Sequence, residues 1–201
     1  MISSDMRFFV FACLAVSLLS EPSFAARRYV RQARGRSCSR PVSCYNQTNE
    51  LYCMACAISG EARGEPAEGQ VAVGQVILAR VVRSGYPKST CGVTHQAVRT
   101  RYGSVIHQFD GWAGDHGHVC EAQVNFARIA LNKGPGRATN FHASYMNPHW
   151  RLARLGRIGG HIFYADRSSV TRSGWQKYAD LQRTIFGGQR TEYASLANAI
   201  E

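Results

Sequence analysis

The chain has 201 residues, 45% of them hydrophobic and 18% charged, with nine Tyr, nine Phe and three Trp. That composition suits one globular domain with its own core and excludes a chain that is disordered throughout. The formal charge of +11 calls for anionic partners, and by itself does not separate nucleic acid from envelope polymers or lipid head groups.

Near the start, Arg7 precedes an apolar run from Phe8 to Leu19, and Ser23-Phe24-Ala25 follows. The run is shorter than the roughly 18 residues a spanning helix needs. A charged start, a greasy middle and small residues before a cut after Ala25 read as a secretory signal peptide over 1–25. Export to the periplasm or cell envelope is expected. The segment 26–47 carries Arg27, Arg28, Arg31, Arg34, Arg36 and Arg40 without apolar periodicity. It reads as a flexible leader that docks on anionic envelope polymers or lipid head groups.

Loss of Cys13 with the signal leaves Cys38, Cys44, Cys53, Cys56, Cys91 and Cys120. An even set in an oxidising compartment points to disulfides. Cys53-Met54-Ala55-Cys56 lacks the βαβ context of a redox motif, and His116, His118 and Cys120 make an unusual zinc set, so no metal or cofactor is expected.

A catalytic domain is expected over 48–187. Thr48 can cap a helix carrying Glu50 in its first turn and an apolar stripe of Leu51, Met54, Ala55, Ile58 and Ala62, stopped at Gly64-Glu65-Pro66. A second helix is predicted over 67–84, with Gly85 just past its end. Nine of the twelve residues from Val71 to Val82 are apolar, so this helix should be central and packed on several sides. Pro87 to Gly117 reads as loops with one short hairpin. Val119 to Ala130 regains helical spacing, His161 to Tyr164 is the best strand, and Trp175 to Phe186 forms a final helix before a loosely held tail at 188–201.

Glu61 falls at the margin of the first stripe, at about 100° per residue, just before the break. A partly desolvated carboxyl there keeps a proton available and can serve as a general acid. Helical spacing also allows a surface pair with Arg63 or with a distant Arg. The wider segment decides: Ile58-Ser59-Gly60-Glu61-Ala62-Arg63-Gly64-Glu65-Pro66, then Gly69-Gln70 and Val76-Ile77-Leu78, resembles the cell-wall hydrolase family that includes the spore-cortex-lytic enzymes. Pro87 to Val93, Gln108-Phe109, Phe141-His142-Ala143 with Pro148 and Trp150, and Ile158 to Tyr164 continue the match in order.

The resemblance implies an α+β, mostly helical, lysozyme-like domain with a central buried helix and a small loop and strand region forming a groove. It implies cleavage of β-1,4 glycan strands of peptidoglycan with Glu61 as catalytic acid. Gln108, Phe109, His142, Tyr145, Trp150, His161 and Tyr164 would line the groove. Two departures, Ala79 where the family commonly has Asn and Asp110 where a small hydroxyl residue is usual, bear on substrate preference more than on activity.

Two-carboxylate glycosidases need a partner for the acid, and Glu65, Glu68, Asp110 and Glu121 have no supporting pattern. A lytic transglycosylase route, in which Glu61 alone is acid and then base, fits better and is implied by the resemblance. The rival activity is an N-acetylmuramoyl-L-alanine amidase with zinc on His142, His149 and His161. A non-catalytic wall-binding protein or an exported nucleic-acid binder leaves the Glu61 block unexplained. No nucleic-acid partner is expected, and the protein should be a monomer. A Cys91–Cys120 disulfide is expected, because one residue follows the central helix, the other opens the next, and the bridge would clamp the loops carrying Gln108.

Overall fold

The structure is a computed structural model and describes residues 38, 40–109 and 117–187. The expected signal peptide, most of the leader, Asp110 and the tail at 188–201 lie outside the described residues.

The fold is α+β and mostly helical. In chain order it runs β1 (Val42–Ser43), α1 (Glu50–Ala62), α2 (Ala67–Val81), α3 (Thr90–Thr94), β2 (Ala97–Arg99), β3 (Val105–His107), β4 (His118–Val119), α4 (Glu121–Lys133), β5 (Asn140–Ala143), β6 (Ala153–Ile158), β7 (His161–Ala165) and α5 (Arg172–Phe186). The strands form a β1–β4 pair, a β2–β3 hairpin and an antiparallel sheet ordered β5-β7-β6.

The cap of α1 is Asn49, whose side chain accepts hydrogen bonds from the N–H groups of Leu51 and Tyr52 at 3.1 and 3.3 Å. Thr48 was the expected cap. It is displaced because Gln47 Oε1 takes the N–H groups of both Thr48 and Asn49. Helices α1, α2 and α4 pack on one another around a core that includes Met54, Ile58, Val73, Ile77, Leu78, Ile129 and Leu131. Close approach depends on Gly74: a Cβ there would lie 2.7 Å from Ala130 Cβ and 3.2 Å from Ile58 Cδ1.

Helix α2 is central as expected, yet it ends at Val81, short of Ser84. Beyond it the chain turns to bridge to the segment before α5: Thr171 N–H donates to Val82 O at 2.7 Å, and Ser84 N–H to Ser169 O at 2.8 Å. These bonds satisfy backbone groups that another helical turn would have claimed. Gly174, in the first turn of α5, sits against this stretch, and a Cβ there would lie 2.5 Å from Val82 Cα.

The expected Cys91–Cys120 bridge is not formed. Cys53 pairs with Cys91, Cys38 with Cys120 and Cys44 with Cys56. The reason lies in Glu50, whose Oε2 accepts from Thr90 N–H at 2.5 Å, Thr90 Oγ1 at 2.6 Å and Cys91 N–H at 3.3 Å. This docks the N-terminus of α3 on the first turn of α1, with Cys91 beside Cys53. The expectation of a flexible segment over 26–47 is likewise corrected at its end: Cys38 and Cys44 are tied to the domain, and β1 pairs with β4. On a chain-entropy estimate, bridges closing loops of this size stabilise by about 3 to 4.5 kcal/mol each.

Two outcomes follow. Non-reducing peptide mapping of the protein folded under oxidising conditions should recover these three pairs. Gly174→Ala should lower unfolding stability by about 2 to 3 kcal/mol in denaturant melts, because the clash is with backbone that cannot rotate away.

Candidate active site

Glu61 lies in the last turn of α1, half-buried. Arg63, its possible surface partner, turns back along the helix instead, donating from Nε and Nη2 to Ser59 Oγ at 3.2 and 2.8 Å. Arg80, from α2, is close enough for its charge and that of Glu61 to act on one another.

Arg80 is buried, though it is the one formal charge between Val71 and Val82. Its Nε donates to Thr139 O at 2.7 Å and its Nη2 to Asn140 Oδ1 at 3.4 Å. The guanidinium sits 5.1 Å from the Phe109 ring centroid and 5.4 Å from that of Tyr86, as cation–π partners do. Burial lowers its pKa, while Tyr86, Asp166 and Glu61 act to retain the charge. Nη1 is buried and has no hydrogen-bond acceptor among the described residues. Behind it, Tyr86 donates its hydroxyl to Asp166, which also accepts from Ser168 N–H at 2.9 Å and from Ser168 Oγ. Burial alone would raise the Asp166 pKa; the bonds from Ser168 and Tyr86 outweigh it and hold the carboxyl below its ordinary value. Tyr86 is correspondingly raised, by burial first and then by its bond to Asp166.

The helix break carries a second anchor. Glu65 Oε2 accepts from Gly160 N–H at 2.6 Å, across 95 residues of sequence. A Cβ on Gly159 would come within 2.1 Å of the same oxygen, and Gly159 has φ +56, so glycine is required there on both counts. The β6–β7 turn is thereby pinned to the segment just after Glu61.

Strand register sorts the remaining expected residues onto two faces. Phe141 pairs with Phe163, and Ala143 with His161, so these share the inner face, against Ala72 and Val76 of α2. His161 is buried there, edge-on to Phe141 at 5.1 Å, and burial lowers its pKa. Phe109 is fully buried, 6.3 Å from Phe141. It was expected to line a groove and instead lies beneath the Arg80 guanidinium.

The opposite face holds His142, Trp150 and Tyr164, mutually within 5.2 to 5.7 Å. His142 Nδ1–H donates to Ala143 O at 2.8 Å, leaving Nε2 to accept from the Tyr164 hydroxyl at 3.0 Å in the neutral ring. Trp150 is half-exposed, while Tyr145 and Gln108 are exposed. His142 and His161 therefore point to opposite faces, which opposes the zinc set of an amidase. No group of three His, Cys, Asp or Glu among the described residues could hold a metal ion.

The family model for cell wall hydrolases matches residues 64–164, half of the chain. The chain belongs to the cell wall hydrolase family. Of the residues named above, Ser59, Glu61 and Arg63 lie just ahead of the matched stretch, and Asp166 and Ser168 just beyond it. Among solved structures, the catalytic domain of the germination-specific lytic transglycosylase SleB from Bacillus anthracis is similar with a TM-score of 0.46 and 29% identity over 59% of this chain and 95% of that one. The catalytic domain of the Bacillus cereus SleB protein is similar with a TM-score of 0.48 and 27% identity over 65% and 98%. No curated protein matches.

In this cell wall hydrolase, Asp166 supplies a pH signature. A carboxyl held below its ordinary 3.8 stabilises the fold above that value, and the contribution disappears as pH falls through the folded pKa. Asp166→Asn should cost about 1 kcal/mol near neutral pH. It should also flatten the loss of stability below about pH 4, read as urea midpoints across the acid range.

Proposed function

We propose that this cell wall hydrolase is an exported lytic transglycosylase that cleaves the β-1,4 glycan strand of peptidoglycan, using Glu61 as its single acid and base on a lysozyme-like domain. Residues 1–25 would direct export, and three disulfides suit an oxidising compartment.

The observation that carries the one-acid reading is the Glu65–Gly160 bond. A retaining or inverting glycosidase needs a second carboxylate free to act as nucleophile or base. The carboxylate nearest Glu61 in sequence is committed to holding a turn. Others among the described residues are engaged too: Glu50 on α3, Asp166 with Tyr86 and Ser168, Glu121 with Arg128, and Asp180 with Arg183. Glu68 is exposed in the first turn of α2.

In the proposed reaction Glu61 gives its proton to the glycosidic oxygen as the bond from muramyl C1 to that oxygen breaks. The resulting carboxylate then takes the proton of the muramyl C6 hydroxyl, whose oxygen closes on C1. A 1,6-anhydro end forms, Glu61 is again protonated, and no water is consumed. Arg80 supplies positive charge that stabilises the carboxylate present between the two halves. Trp150, with Tyr164 and His142 behind it, and the exposed Tyr145 and Gln108 would contact the sugars.

Glu61→Gln, assayed on purified sacculi, should lower turnover by about 100-fold or more while leaving the melting curve unchanged. Near-normal turnover would end the assignment. Glu65→Gln keeps an acceptor for Gly160 N–H and should retain most activity; a comparable collapse there would make Glu65 a second catalytic carboxyl. Mass spectrometry of the wild-type products should show anhydro-muramyl ends, whereas reducing ends would mean hydrolysis and freed stem peptides an amidase.

A further inference from the structure

We propose that the β2–β3 hairpin is a docking element for an anionic lipid bilayer. Among the described residues its strands pair only with each other: Val98 faces Ile106, Arg99 faces Val105 and Ala97 faces His107. The base is closed by Gln108 N–H to Gln96 O at 2.8 Å, and the tip by Thr100 N–H to Ser104 O at 2.7 Å and Arg99 Nη1 to Gly103 O at 3.1 Å. A hairpin of two strands is marginal in water unless something covers a face. Here Val98 is 49% exposed, Val105 49%, Ile106 53% and Tyr102 78%.

The charges around these side chains choose the partner. Arg99 and Arg101 flank the apolar residues, Arg101 lies 4.6 Å over the Tyr102 ring, and no Asp or Glu occurs from Gln96 to Phe109. Aliphatic residues with a tyrosine and arginines at their border match the boundary between acyl chains and anionic head groups, where each cation gains from the surface potential. A glycan strand, rich in hydroxyls, offers nothing to a Val98–Ile106 pair. The net charge of +11 favours approach to the same surface. Since the hairpin runs directly into Gln108 and Phe109, beneath Arg80, docking would hold the proposed cleavage site close to the bilayer.

The test is co-sedimentation of residues 26–201 with vesicles of phosphatidylethanolamine and phosphatidylglycerol, with phosphatidylcholine vesicles as the uncharged control. Every variant keeps the Arg-rich segment ahead of Cys38, so differences report the hairpin. Val98→Ser with Ile106→Ser should lower partitioning onto the anionic vesicles by about tenfold. Arg99→Gln with Arg101→Gln should lower it by roughly fivefold per charge, with little change on phosphatidylcholine. Cleavage of soluble glycan strands should be unaffected in both, which keeps this outcome separate from that of Glu61→Gln. Unchanged vesicle binding in the two double variants would overturn the proposal. So would intact vesicle binding with a tenfold loss of soluble-strand cleavage, which would make the hairpin a glycan subsite.

Discussion

Burying a guanidinium is costly unless it keeps its charge in company and spends its N–H groups, and the architecture around the site follows from how Arg80 meets that demand. Its Nε bond to Thr139 O fixes the start of β5 against α2, and its Nη2 reaches Asn140. Phe109 and Tyr86 take its faces, and Tyr86 passes the constraint to Asp166 at the end of β7. One cation thus sets helix, sheet and the incoming segment of residue 109 relative to Glu61. The same low-dielectric setting strengthens the attraction it exerts on that carboxylate.

Around this centre the rigidity comes from two different sources. On the helical side it is close packing, with Gly74 letting α2 approach α1 and α4, reinforced by disulfides that hold α3 and β1 to α1. On the sheet side the core is small: Ala72, Val76 and Phe163, with Phe141 shared between the two clusters. The Glu65–Gly160 bond substitutes for packing area there, joining the far end of the sheet to the residues that follow α1. A charge-assisted bond of this kind holds direction as well as distance. That suits a turn which must stay in register with a neighbouring acid.

Much of the helical framework could be read along the chain. Its signals are local: the break at Gly64-Glu65-Pro66, the apolar stretch from Val71 to Val82, and the spacing before Gly134. Short strands were expected between α4 and α5, but β5 and β6 could not be located there for equally physical reasons. β5 is four residues long, and β6 is exposed along nearly its whole length with an irregularity between Arg154 and Gly156, so neither shows a period of two. Arg80 was missed although a sign was present, since a lone charge inside an apolar helix is either a fault or a functional part. Cysteine pairing was misread because proximity to Cys53 depends on Glu50 docking α3, a contact spanning forty residues.

By itself the sequence determined the four long helices and the break after the first, that the chain carries the ordered motifs of a cell wall hydrolase, and which carboxyl falls at a helix edge. Those properties depend on residues within a few positions of one another, where backbone geometry and apolar spacing suffice. Only the tertiary structure decided that Phe109 and His161 turn inward while His142, Trp150 and Tyr164 share the other face, which cysteines meet, and that Arg80 lies where its charge reaches Glu61. Each of those depends on strand register, or on burial between elements far apart in the chain, and neither is encoded in any local pattern.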